Sequence, residues 1–107
     1  MMIKSDVGVN SERSERPVYK IERTLRFKKD YKLIKKRGYD VRRLEDVVKI
    51  LAKGEALPAE YLDHPLKGDY KGCRECHVAP DWLLIYEVVE NTLKLYLTRT
   101  GTHSDLF

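Results

Sequence analysis

The stretch Trp82-Leu83-Leu84-Ile85-Tyr86-Glu87-Val88-Val89 constrains the fold more than any other. It has the length of a strand, it is rich in branched and aromatic side chains, and it lacks the polar alternation of a strand with one wet face. Such a run marks a central strand covered on both faces. The remaining sequence must therefore supply neighbouring strands and at least one packed layer.

The layer comes from upstream. Pro17 punctuates, and Val18-Tyr19-Lys20-Ile21-Glu22-Arg23 alternates as a short first strand. Thr24 is a helix N-cap, and Phe27, Tyr31 and Ile34 fall at i, i+4, i+7 of a helix that Gly38 ends. Asp40 caps a second helix with the stripe Val41, Leu44, Val47, Val48, Leu51. The pair reads as an antiparallel hairpin, its stripes turned to the core. Residues 55–61 connect, and from there the periodicity becomes strand-like. Leu62 to Lys67 is a short extended edge interrupted by Pro65, and Cys73 to Val78 is a strand. Ala79-Pro80-Asp81 turns into the central run. After Glu90-Asn91, Leu93, Leu95 and Leu97 alternate along a last long strand that ends at Gly101 with a short tail. The order β-α-α-β-β-β-β predicts an α+β domain: a mostly antiparallel sheet with the helical hairpin on one face.

The chain of 107 residues suits one domain over 17–107. Residues 1–16 are polar and repetitive, with too few apolar groups to offset ordering entropy, and read as a disordered leader or extension. No apolar run reaches the roughly 18 residues of a membrane span, and no signal-type stretch opens the chain, so no membrane is expected and the cytoplasm is the expected compartment. The net charge of +4 is uneven. Residues 17–53 hold 13 Lys/Arg against 5 acids, whereas 54–107 hold 5 against 9. A basic half beside a mildly acidic one suits a polyanion that touches one face, and nucleic acid is the first candidate. A solvated Lys-rich helical surface is the plainer alternative.

The rare residue types cluster. Cys73-Arg74-Glu75-Cys76-His77-Val78-Ala79-Pro80-Asp81-Trp82 holds both cysteines, the only tryptophan and one of three histidines. His64 lies in Asp63-His64-Pro65-Leu66-Lys67-Gly68, and His103 follows Arg99-Thr100-Gly101-Thr102. A hairpin about Asn91 brings His103 back toward Asp81, so His77, Asp81 and His103 form a cluster at one end of the sheet. His64 joins if its strand neighbours that of His77. Metal-free RNA cleavage needs a base for the 2′-OH, an acid for the leaving 5′-oxygen and positive charge at the phosphate. Histidine serves either proton-transfer role near neutral pH. Arg99, Arg74 or Lys67 can supply the charge, and Trp82 and Phe107 offer flat surfaces for an unpaired base. Trp82 at the head of an apolar strand equally reads as core. His/Asp sets also ligate zinc, but no HExxH or similarly spaced pair is present, so no metal and no cofactor are expected. Cys73 to His77 spells the haem-attachment pattern. That reading is rejected, because the chain shows no export signal and its only methionines are Met1 and Met2. On a strand the two cysteines point to opposite faces, which leaves them as free thiols.

Residues 18–107 resemble the YafQ branch of the RelE superfamily, the ribosome-dependent mRNA-cleaving toxins of bacterial toxin–antitoxin pairs. The resemblance lies in Asp63 to Gly68, in Arg74 to Tyr86 (Arg-Glu-Cys-His-Val-Ala-Pro-Asp-Trp-Leu-Leu-Ile-Tyr), and in Arg99 to Phe107 (Arg-Thr-Gly-Thr-His-Ser-Asp-Leu-Phe). It implies a RelE-like fold, cleavage of mRNA in the ribosomal A site, and a cognate antitoxin of ribbon-helix-helix type through which alone DNA would be reached. It also implies that His64, His77, Asp81, Trp82, His103 and Phe107 are the functional residues. The leader 1–16 and Cys73, where relatives often carry an aromatic, depart from the pattern. The alternative is a non-catalytic basic module that binds RNA or the ribosome.

Overall fold

The structure, a computed structural model, describes residues 18–107; the leader expected over 1–16 lies outside the described residues. Strand β1 (Lys20–Arg23) leads into helix α1 (Leu25–Lys36) and helix α2 (Val41–Ala52). Strands β2 (His64–Pro65), β3 (Arg74–Ala79), β4 (Trp82–Val89) and β5 (Lys94–Gly101) follow, and a one-turn helix α3 (His103–Leu106) ends the chain. The sheet order is β1-β5-β4-β3-β2, with only the β1–β5 pair parallel. This is the α+β arrangement expected, with the apolar run at its centre.

The helix boundaries follow from local chemistry. The Thr24 hydroxyl accepts the Phe27 N–H and the Asp40 carboxylate accepts the Arg42 N–H, so each cap satisfies an orphan donor. Gly38 sits at φ 87°, a left-handed conformation that a Cβ would penalise, and α1 stops there. On one side of the sheet Phe27, Ile34, Leu44, Val47 and Leu51 pack on Cys76, Val78, Leu84, Tyr86, Leu95 and Leu97. On the other side Leu83 and Ile85 pack with Leu106, flanked by Leu66, Tyr70 and Cys73. Both faces of β4 are thus covered, as its lack of alternation requires. Each such side chain contributes about 1.5–3 kcal/mol by leaving water.

Several boundaries differ from the sequence reading: β2 is only His64–Pro65, β3 runs Arg74–Ala79 with Cys73 outside it, and β5 starts at Lys94, after Leu93 at φ 51°. The first strand begins at Lys20, because Val18 and Tyr19 donate their N–H groups to the Ala52 carbonyl (2.7 and 2.9 Å) instead of to a strand. The tail after Gly101 is helical. Thr102 caps it with a reciprocal pair of bonds: the Asp105 N–H to the Thr102 hydroxyl at 3.2 Å and the Thr102 N–H to the Asp105 carboxylate at 2.9 Å. Among the described residues no helix is long and apolar enough to cross a membrane.

Candidate functional site

Register builds the site. His77 lies opposite Leu83, and Leu83 lies opposite Gly101 on the next strand, so three neighbouring strands bring His77 and the residues after Gly101 to one end of the sheet. Pro80-Asp81 is the tight turn between β3 and β4, preceded by a register shift between His77 and Ala79. The His77 and His103 rings stand 6.1 Å apart, centroid to centroid. His103 Nδ1 is 3.1 Å from Asp81 Oδ1, and the same carboxylate oxygen accepts the His103 backbone N–H at 3.3 Å. A carboxylate only accepts, so Nδ1 carries its proton and Nε2 is the nitrogen left to exchange one. The His103 ring and backbone bonds hold the Asp81 carboxyl below the usual carboxylate range. The expected cluster of His77, Asp81 and His103 is therefore assembled.

His64 is brought onto the same face. It pairs in register with Glu75, two residues before His77 and so on the same side of β3. Its Nδ1 lies 2.7 Å from the Leu62 carbonyl and its Nε2 3.2 Å from Glu75 Oε1. The carbonyl can only accept, so Nδ1 donates to it, and Nε2 faces the Glu75 carboxyl. Glu75 is buried at 5% exposure, which the sequence reading missed; an acid on the inward side of a strand is the signal it left. Both ring nitrogens of His64 are occupied, so it presents no free nitrogen to the site.

The terminal ring belongs to the cluster too. Phe107, exposed at 63%, lies 6.3 Å from His103 and edge-on to Tyr70 at 5.9 Å. Tyr70 was also missed, because a turn flanked by Gly68 and Gly72 gives no periodicity to read.

Three candidates stand differently from expectation. Trp82 is 3% exposed. Its indole N–H donates to the Thr100 hydroxyl at 2.9 Å, Thr100 donates to the Leu83 carbonyl at 2.7 Å, and Tyr39 meets the indole edge-on at 5.0 Å. It is core and offers no open face to a base. Arg74 lies on the helix side of the sheet, opposite Tyr86, and pairs with Asp63 (3.3 Å), which also accepts the Tyr86 hydroxyl at 2.6 Å. It is on the wrong face to reach His77. Arg99 is on the site face, opposite Ile85, but its guanidinium is held bidentately by Asp30 at 2.8 and 3.0 Å, with Tyr70 Oη at 3.5 Å. That carboxylate raises the Arg99 pKa further. Lys67 is exposed at the cap of the Gly68–Tyr70 turn and makes no ion pair among the described residues.

Asp30 explains the Arg99 arrangement. β1 stops opposite Leu97, and Asp30 on α1 accepts the Thr100 N–H at 3.1 Å. It therefore caps the strand edge that β1 leaves open and ties Arg99 down in the same contact. A second clamp joins α1 to the tail: Arg37 grips Asp105 at 2.7 and 3.1 Å. The guanidinium keeps the Asp105 carboxyl well below the usual carboxylate range. A Cβ added at Gly101 would lie 2.9 Å from Asp105 Oδ2, so the glycine makes room for this clamp.

The cysteines lie as expected: both free, Cys73 beside Leu83 and Ile85, and Cys76 in the main core. Burial pushes the Cys76 thiol up to about 12. Among the described residues no three of His, Cys, Asp and Glu converge as a metal-ligand set.

Residues 19–107 match the family described as bacterial toxin of type II toxin–antitoxin system, YafQ. The mRNA interferase toxin YafQ of Escherichia coli K12 is 44% identical over 88 residues, which is 81% of this chain and 94% of that protein. The toxin in the crystal structure of the E. coli DinJ–YafQ complex superposes with a TM-score of 0.77 at 43% identity, covering 83% of this chain and 98% of that one. A metal-bound toxin from Helicobacter pylori gives 0.78 at 45% identity, covering 83% and 99%. The fold, the length covered and the matched family agree: the chain belongs to the YafQ family of type II toxin–antitoxin toxins.

Proposed function

We propose that the chain is an endoribonuclease toxin that cleaves mRNA in the ribosomal A site, with His77 and His103 sharing the base and acid roles. The observation that carries this is the Asp81–His103 bond beside the His77 ring. The relatives' name as mRNA interferase and the DinJ–YafQ complex support the class. One neutral imidazole takes the 2′-OH proton, and the 2′-oxygen attacks the adjacent phosphorus. The P–O5′ bond breaks, and the other ring, protonated, gives its proton to the 5′-oxygen. A 2′,3′-cyclic phosphate and a 5′-hydroxyl result. Asp81 holds the His103 tautomer and stabilises its imidazolium. His64, held by Glu75, lines the same face, and Phe107 is the open ring for a base. Lys67 is an auxiliary phosphate contact. The donor set described above does not fit a metal, and no step is routed through one.

The partner is a cognate antitoxin of ribbon-helix-helix type, and DNA is reached only through it. Its acidic segment seats in the groove between α1, α2 and β1, which encloses about 550 Å³ over Ile21, Phe27, Tyr31, Leu44 and Val48 with Lys28, Lys32 and Lys49 at its rim. The remaining exposed lysines and arginines of the two helices dock on ribosomal RNA.

The test is mRNA cleavage in a translating extract. His77→Ala and His103→Ala are expected each to lose roughly 10²- to 10⁴-fold in rate, the scale of one general acid–base group. Undiminished cleavage by both variants overturns the assignment.

A further inference from the structure

Asp81 also borders a second cleft, of about 290 Å³. Tyr39, Asp40, Arg43, Ala79, Asp81 and Trp82 line it. It shares Asp81 with the histidine cluster, yet none of the roles above uses Tyr39, and none singles out Arg43 among the helix cations. We propose that this cleft is a nucleotide subsite: Tyr39 stacks the base next to the scissile phosphate, and Arg43 contacts that nucleotide's phosphate. The proposal rests on the nuclease reading above and adds a substrate contact to it.

Four observations carry it. The first is adjacency: Asp81 belongs both to the histidine cluster and to the lining of the cleft, so a strand with its phosphate at His103 can reach it. The second is rigidity. Tyr39 is held edge-on by Trp82 at 5.0 Å, and Trp82 is itself anchored through Thr100. A ring so backed is a preorganised stacking platform, and stacking accepts any base because every base has a π-face. The third is charge. Arg43 is exposed on the first turn of α2 and makes no ion pair among the described residues. The two carboxylates of the cleft are already engaged, Asp40 by Arg42 at 3.1 Å and Asp81 by His103, so they oppose a phosphate less than free acids would. The fourth is size: the cleft sits at the lower end of small-ligand pockets, which span roughly 300–1,000 Å³, and suits one base better than a peptide segment.

The subsite also relocates a function. Trp82 has no open face, so the stacking first expected of it falls to the ring it supports.

Trp82 is the only tryptophan, so its fluorescence reports on the cleft. The full chain is titrated with a short single-stranded RNA carrying non-cleavable 2′-O-methyl groups, following tryptophan emission and, separately, anisotropy of a labelled RNA. Wild type is expected to change emission on binding. Tyr39→Leu keeps the bulk over Trp82 but removes the ring, and is expected to weaken binding roughly 5- to 150-fold, the range of one lost base stack. Tyr39→Phe is expected to restore binding. Arg43→Ala is expected to weaken binding and flatten its salt dependence, whereas Arg43→Lys retains both. RNA bound by anisotropy with unchanged emission and unchanged affinity in Tyr39→Leu overturns the proposal. So does loss of binding in Tyr39→Phe equal to that in Tyr39→Leu, which would mark a packing role. Absence of mRNA cleavage by the wild type would remove the nuclease reading, and undiminished cleavage by His77→Ala and His103→Ala the histidine assignment; this titration is read independently of both.

Discussion

Asp81 and His103 act as a pair, and their geometry makes a claim beyond loss of activity. Asp81→Asn retains an acceptor for Nδ1 but removes the charge that stabilises the imidazolium. Its cleavage rate is expected to fall less than that of His103→Ala, as single-turnover rates would reveal. Gly101→Ala tests the clamp behind the pair. The new methyl group meets Asp105, and overpacking of this kind costs about 1–3 kcal/mol, measurable by urea denaturation. The thiols give a control. Cys76 is buried with its pKa raised, so it is expected to resist alkylation in the native state and react fully in denaturant.

At the scale of elements, α1 does more than cover the sheet. It sends Asp30 to the open edge of β5 and Arg37 to α3, and both contacts fix the backbone that carries His103. Asp30→Ala leaves the Thr100 N–H without that acceptor and strips Arg99 of its carboxylate. A cost of about 2–3 kcal/mol is expected, seen as an earlier urea midpoint at unchanged slope. The elements themselves were legible in the sequence because caps, stripes and strand alternation are local signals: Thr24, Asp40, Gly38 and the run from Trp82 each sit where they were expected. The cluster of His77, Asp81 and His103 was legible for a related reason, since a hairpin of known centre fixes which residues return to meet. What stayed hidden was partner choice across long separations. Nothing near Arg99 or Arg74 in the chain announces that Asp30 or Asp63 holds it, and nothing in Trp82 alone decides whether its ring faces solvent or Thr100. The helical tail escaped because one turn is too short for periodicity; its Thr102–Asp105 capping box is visible only once looked for.

On the scale of the whole molecule, charge and acid stability follow from the same contacts. Asp81 and Asp105 have carboxyl pKa values below those of the unfolded chain. A depressed folded value means that the stabilisation is present above the ordinary carboxylate pKa, near 3.9, and is lost as pH falls through the folded values. Thermal midpoints are therefore expected to hold down to about pH 5 and to drop below pH 4, with a shallower drop in Asp105→Asn. One feature of the topology reaches beyond the finished fold. Among the described residues the first strand of the sheet pairs only with the last, Lys20 beside Lys94, so nearly the entire domain must leave the ribosome before that pairing can form. Until then Asp81 has no His103 to orient. A chain cut short by a break in its own message thus carries none of the chemistry proposed for the complete domain.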